Sequence, residues 1–160
     1  MDFRERLHQA AERGERARAA QQAEAAAAAL SEEECRRRHS NYRLALTEHI
    51  ERCLRQLADN FPGFRKETIV DDRGWGSAVR RDDLSMREGR RTNLFSRLQI
   101  TVSPYNQYRV LEIIAKGTIR NKESFTRNHY QRISDLDEDR FRELIEQWVL
   151  DYAEMYAAAE

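Results

Sequence analysis

Two cysteines and two histidines are spaced in a way that could hold a metal ion. They run Cys35-x3-His39-x9-His49-x3-Cys53, a pattern symmetric about residue 44. On a helix turning about 100° per residue, with Cys35 at zero, His39 falls at about +40°, His49 at about −40° and Cys53 back at zero. All four then lie on one face. Two copies of such a helix, antiparallel about residue 44, would set Cys35 and His39 of one against Cys53 and His49 of the other. Each end would hold two thiolates and two imidazoles, a ligand set suited to zinc. The plainer reading is that Cys and His on an apolar stripe are packed core residues, and Tyr42, Leu46 and Leu57 share the face. On that reading no cofactor is expected, zinc being the candidate to test.

Arginines suggest a second chemistry. Arg73, Arg80, Arg81, Arg87, Arg90, Arg91 and Arg97 fall in one stretch, against Asp82, Asp83 and Glu88 within it and Asp72 at its border. Trp75 and Phe95 lie among them, with Tyr105 and Tyr108 soon after. Arginines and aromatics on an open sheet face can hold a nucleic-acid single strand by phosphate contacts and base stacking. The candidate contacts are Arg80, Arg81, Arg87, Arg90, Arg91 and Arg97. The chain balances 28 basic against 28 acidic residues, so no broad field supports this reading, and a solvated arginine surface explains the same residues. A third chemistry is carriage of a small apolar ligand between sheet and C-terminal helix, lined by Trp148, Tyr152, Met155 and Tyr156. At helical spacing such residues are more often plain core.

No catalytic residue is nominated. The sequence has no GxSxG, HExxH, Gly-rich phosphate loop or EF-hand loop, and Gly74-Trp75-Gly76 reads as a turn. The acidic clusters Asp71-Asp72, Asp82-Asp83 and Asp135–Asp139 fit turns or a helix start better than a cation site. The N-terminus lacks an apolar signal-peptide core, and no run approaches the ~18 apolar residues of a membrane span. Cys35 and Cys53 are eighteen residues apart on one helix, roughly 27 Å by rise, too far for a disulfide. A cytoplasmic protein with reduced thiols follows.

These residues must be positioned by an α+β domain. Leu94, Leu98, Ile100 and Val102 alternate with Arg97, Gln99, Thr101 and Ser103, the period-two mark of a strand with one buried face. A turn at Pro104–Gln107 would return the chain through Val110–Ala115, with Ile100 opposite Leu111 and Leu98 opposite Ile113. Phe64–Asp71 and Trp75–Arg81 read as further strands around Asp72-Arg73-Gly74, Arg80–Asn93 as a charged loop, and Phe125–Ile133 as a last strand after a turn at Asn121–Ser124. That gives about five antiparallel strands between residues 64 and 133.

Helices flank the sheet. Residues 1–30 are rich in Ala, the strongest helix former, with Asp2/Arg6 and Glu12/Arg16 in the favourable i,i+4 order. Large apolar residues are few there, so the segment reads as a weakly anchored helical arm with Gly14 as its soft point. Ser31 and Glu34 form a capping box, opening or continuing a helix over 31–60 whose stripe is Cys35, His39, Tyr42, Leu46, His49, Ile50, Cys53 and Leu57. Asn60-Phe61-Pro62-Gly63 ends it. Asp137 caps a helix over 137–158 with a stripe of Phe141, Leu144, Ile145, Trp148, Tyr152 and Met155, and Val149 and Tyr156 at its edge. The expected fold has 1–30 as an arm and 31–160 as one α+β domain. The expected function is a non-enzymatic interaction or assembly module, a homo-oligomer or a binder of a protein partner through Phe3, Leu7, Leu30 and the Ala-rich face.

Overall fold

A computed structural model describes residues 2–159. Three long helices and a five-stranded antiparallel sheet follow in the order α1 (Phe3–Ala29), α2 (Glu32–Asn60), β1 (Arg65–Asp71), β2 (Gly74–Arg87), β3 (Arg90–Val102), β4 (Val110–Ile119), β5 (Lys122–Arg132) and α3 (Glu138–Ala158), with a 3-10 turn at Ile133–Asp135. The strands lie side by side in chain order, each antiparallel to the next.

Register decides what the sheet buries. Trp75, Ser77 and Val79 of β2 lie beside Val102, Ile100 and Leu98 of β3, which lie beside Ile113, Ala115 and Gly117 of β4. This face is covered by α2 and α3, which also pack on one another. Leu46, Ile50, Leu54 and Leu57 of α2 and Phe141, Ile145, Trp148, Val149 and Tyr152 of α3 fill the core against it. Each such side chain, fully buried, stabilises the fold by roughly 1.5–3 kcal/mol. The opposite sheet face is uncovered and largely polar. There Arg97 reaches Glu67 at 3.6 Å, and Arg80 stacks over Phe95.

Three expectations are corrected. Arg80–Asn93 is not a loop: β2 and β3 continue as a hairpin to Arg87 and Arg90, closed by Glu88 and Gly89 at φ 51° and 75°. Positive φ at both central residues is the hairpin turn whose twist matches the strands. In the central hairpin Ile100 faces Ala115 and Leu98 faces Gly117, a shift of four residues along β4 from the expected pairing. Ser103, just past the end of β3, bonds Glu112 of β4 through backbone and side chain, so residues 104–111 separate the two rather than a four-residue loop. An even shift keeps every side chain on its face. The turn before β5 is Arg120-Asn121, one residue earlier than expected.

The glycines around Trp75 do more than turn the chain. A Cβ on Gly76 would collide with the Ile100 carbonyl oxygen, and one on Gly74 with that of Val102. Only glycine lets β2 approach β3 so closely.

The helix ends agree with their caps. Asp2, Ser31 and Asp137 accept from the backbone N–H of Glu5, Glu34 and Arg140. The chain breaks at Leu30–Ser31, so α2 restarts there, and α1 runs through Gly14 without interruption. On α2, Leu54 belongs to the buried stripe and Cys53 to its edge. On α3, Val149 is core and Met155 is 38% exposed.

Candidate functional site

The Cys/His stripe of α2 is turned into its own domain. Cys35, His39 and His49 are buried and Cys53 half-buried. His39 meets the edge of Tyr105; burial pushes its pKa down, opposed by the Ser103 backbone and reinforced by the Arg43 charge. His49 Nε2 lies 3.7 Å from Cys53 Sγ and 3.9 Å from Glu146. Burial and then the Arg142 charge lower its pKa, while burial and then Glu146 raise that of the Cys53 thiol. Both shifts favour neutral groups in a dry setting. Among the described residues no three His, Cys, Asp or Glu gather as a metal site. Pairing two copies about residue 44 would require α2 to leave the sheet.

The six candidate arginines are split. Arg80, Arg91 and Arg97 project from the uncovered face, and Arg81, Arg87 and Arg90 from the other, as their register alternates. Arg80, Arg81 and Arg97 are engaged by Asp82, Asp83 and Glu67, and Arg81 also donates to the Pro62 carbonyl. Arg87, Arg90 and Arg91 stand exposed at the hairpin tip without an ion pair among the described residues. Trp75 faces α2 beneath Arg43 rather than an open platform. Leu84 and Met86, 73% and 64% exposed on the same tip, carry no signal in a stretch whose charges read as loop.

Of the residues named for a carrier lining, Trp148 and Tyr152 are packed in the core and Met155 is at the surface. Tyr152 is fully buried among the rings of Phe64, Phe125 and Tyr156, and its hydroxyl donates to the Thr118 carbonyl at 2.8 Å. Burial pushes its phenol pKa up. The acidic clusters serve turns and ion pairs: Asp71 accepts from the Arg73 N–H, Asp82 and Asp83 hold Arg80 and Arg81, and Asp137 caps α3.

That leaves α1. Over 27 residues none of its side chains is buried, and Phe3 and Leu7 are 73% and 58% exposed. By rise it extends about 40 Å. Leu30 lies at its other end, half-buried at the joint. There Arg109, held at φ 55°, donates through Nη1 to the Leu30 carbonyl, while its own carbonyl accepts from the Ile133 N–H. Arg36 stacks on Tyr105 beside this joint. The arm is therefore anchored at its base and unpartnered along its length.

No family model, curated protein or solved structure matches this chain. No helix of the described residues is long and apolar enough to cross a membrane.

Proposed function

We propose that the chain is an assembly module that self-associates through α1. The observation that carries this reading is a 27-residue helix with no buried side chain, fixed at its base to a domain with a complete core. Phe3, Leu7, Ala10, Gly14 and Ala17 recur at alternating spacings of four and three, the repeat of a two-helix seam. Small residues at such a seam let backbones approach closely. Arg4, Arg6, Arg13 and Arg18 flank it, with Ala11, Ala20, Ala25 and Ala27 in the equivalent flanking places. In a parallel pair Arg13 would face Arg18 of the second copy, twice. In an antiparallel pair centred between Gly14 and Ala17 each of these arginines faces an alanine. Like-charge avoidance thus favours a second copy running antiparallel.

Molar mass by light scattering over a concentration series tests the proposal, using the full chain and a chain lacking Phe3–Ala29. The expected result is an oligomer for the full chain and a folded monomer without α1. An equal multiple of the chain mass in both, or a full chain that stays monomeric throughout, contradicts it. In the second case α1 would be left for a different partner.

A further inference from the structure

At the corner where the β2–β3 hairpin outruns β4 and β5 there is an open cleft of about 810 Å³. Its size falls within the range of small-molecule sites. Leu94 and Ile119 supply apolar lining. Ser85 and Arg87 come from β2, Thr92 from β3, Arg120 from the turn, Lys122 and Ser124 from β5, and Ala159 closes one end. Three cationic side chains so converge from separate segments. Glu123, which accepts from the Thr126 hydroxyl at 2.6 Å, keeps its negative charge, and the end of α3 at Ala159 adds the negative carbonyl pole of a helix; the three cations outnumber that one carboxylate.

Two polar atoms in the lining lack partners. Arg120 Nε and Ser124 Oγ are both cut off from solvent with no hydrogen-bond partner among the described residues. Buried polar groups are nearly always satisfied, and an orphan pair on residues of one cleft needs an explanation. The turn bearing Arg120 is meanwhile tightly held. The Arg120 N–H donates to Ser96 Oγ at 3.0 Å, Asn121 N–H donates to the Phe95 carbonyl at 2.7 Å, and the Asn121 side chain accepts from Phe95 N–H and donates to the Asn93 carbonyl. Arg120 and Asn121 both sit at positive φ, 48° and 70°. Ser124 is the extra residue of a β-bulge opposite Gly117, and its hydroxyl lies where a Cβ on Gly117 would intrude, at 2.6 Å. The turn that carries Arg120 and the bulge that carries Ser124 are thus fixed by the backbone, while Arg120 Nε and Ser124 Oγ find no partner among the described residues.

We propose that this cleft binds a small molecule carrying a phosphate group. Its oxygens accept from the Arg120 guanidinium, and Arg87 and Lys122 balance its charge. Two guanidinium forks and an ammonium suit a multiply charged phosphate better than a single carboxylate. The apolar lining at Leu94 and Ile119 takes the uncharged part of the ligand. This site is independent of α1.

The test is an amide NMR titration of the full chain with inorganic pyrophosphate at low salt. Saturable shifts confined to Arg87, Thr92 and 119–124 are expected. Arg120→Gln should weaken binding by about tenfold, the size of one charge-assisted contact. Lys122→Gln removes an exposed side chain and so leaves the fold intact; it should weaken binding by a smaller factor, and each variant's own spectrum reports its folding. Absence of saturable shifts, or affinity unchanged in both variants, overturns the proposal. Tighter binding of a short single-stranded oligonucleotide through the same residues would overturn the small-molecule assignment in favour of a nucleic-acid backbone.

Discussion

Helices α1 and α2 follow one another across a break at Leu30–Ser31 and run for 27 and 29 residues, but α2 buries seven side chains and α1 none. The first is a helix by composition. Its alanines lose little on becoming helical, its length exceeds the ~12–15 residues at which isolated helices become marginal, and Asp2 caps it. The second is a helix by burial: its polar residues on one side and its stripe from Cys35 to Leu57 on the other make sense only against the sheet and α3. Local propensity and tertiary packing are separable causes, and here adjacent helices of one chain rest on different ones.

The largest break in this comparison comes from equivalent truncations. Ile50→Ala in α2 should cost about 2–5 kcal/mol through lost burial and a residual cavity. Leu7→Ala in α1 should shift the urea midpoint of the monomeric domain by a negligible amount, within the ~0.5 kcal/mol scatter of surface changes. Equal losses would mean that α1 is part of the core.

Acid should sharpen the contrast next. His39, His49 and His129 are held below the ordinary imidazole value of 6.5 by burial. The unfolded chain binds protons that the native state refuses, so their contribution is full above 6.5 and is lost as pH falls towards the folded values. The urea midpoint should therefore drop as pH falls below 6.5, before the carboxylates lowered by their Arg and Lys partners, Glu34, Glu51, Asp82 and Asp151, begin to protonate. His49→Gln should flatten that slope.

At the joint, Ser31→Ala removes the cap of α2 and should destabilise the domain by about 1 kcal/mol; chemical denaturation of the two chains side by side measures it. The smallest effect is Gly14→Ala. It should slow amide exchange in the middle of α1, a local gain of up to ~1 kcal/mol, with the domain's unfolding transition unchanged.

How much of this is legible in the sequence follows from which physical signal each part carries. The caps at Ser31 and Asp137, the alternation from Leu94 to Val102 and the stripes of α2 and α3 are local patterns, and the helix–sheet–helix order comes from them. The hairpin extension escapes such reading because Arg80, Arg81, Asp82 and Asp83 place charge on both faces, so no hydrophobic alternation marks β2 there; its signal is Glu88-Gly89. The register across Pro104 includes bonds from Ser103, past the end of β3, to Glu112 of β4, which spacing alone does not reveal. The Cys/His symmetry is real in sequence, but residue periodicity does not say whether a face meets a second copy or its own sheet. The cleft draws on Ser85, Thr92 and 119–124, distant segments joined only by register, and its one local sign is the asparagine of the Arg120-Asn121 turn.

Whether α1 awaits a second copy while α2 is complete within the chain is tested most directly by hydrogen exchange along both helices at high and low protein concentration. Protection in α1 should rise with concentration, centred on Gly14–Ala17, while protection in α2 stays constant. Exchange in α1 that is fast and independent of concentration would contradict self-association through this helix.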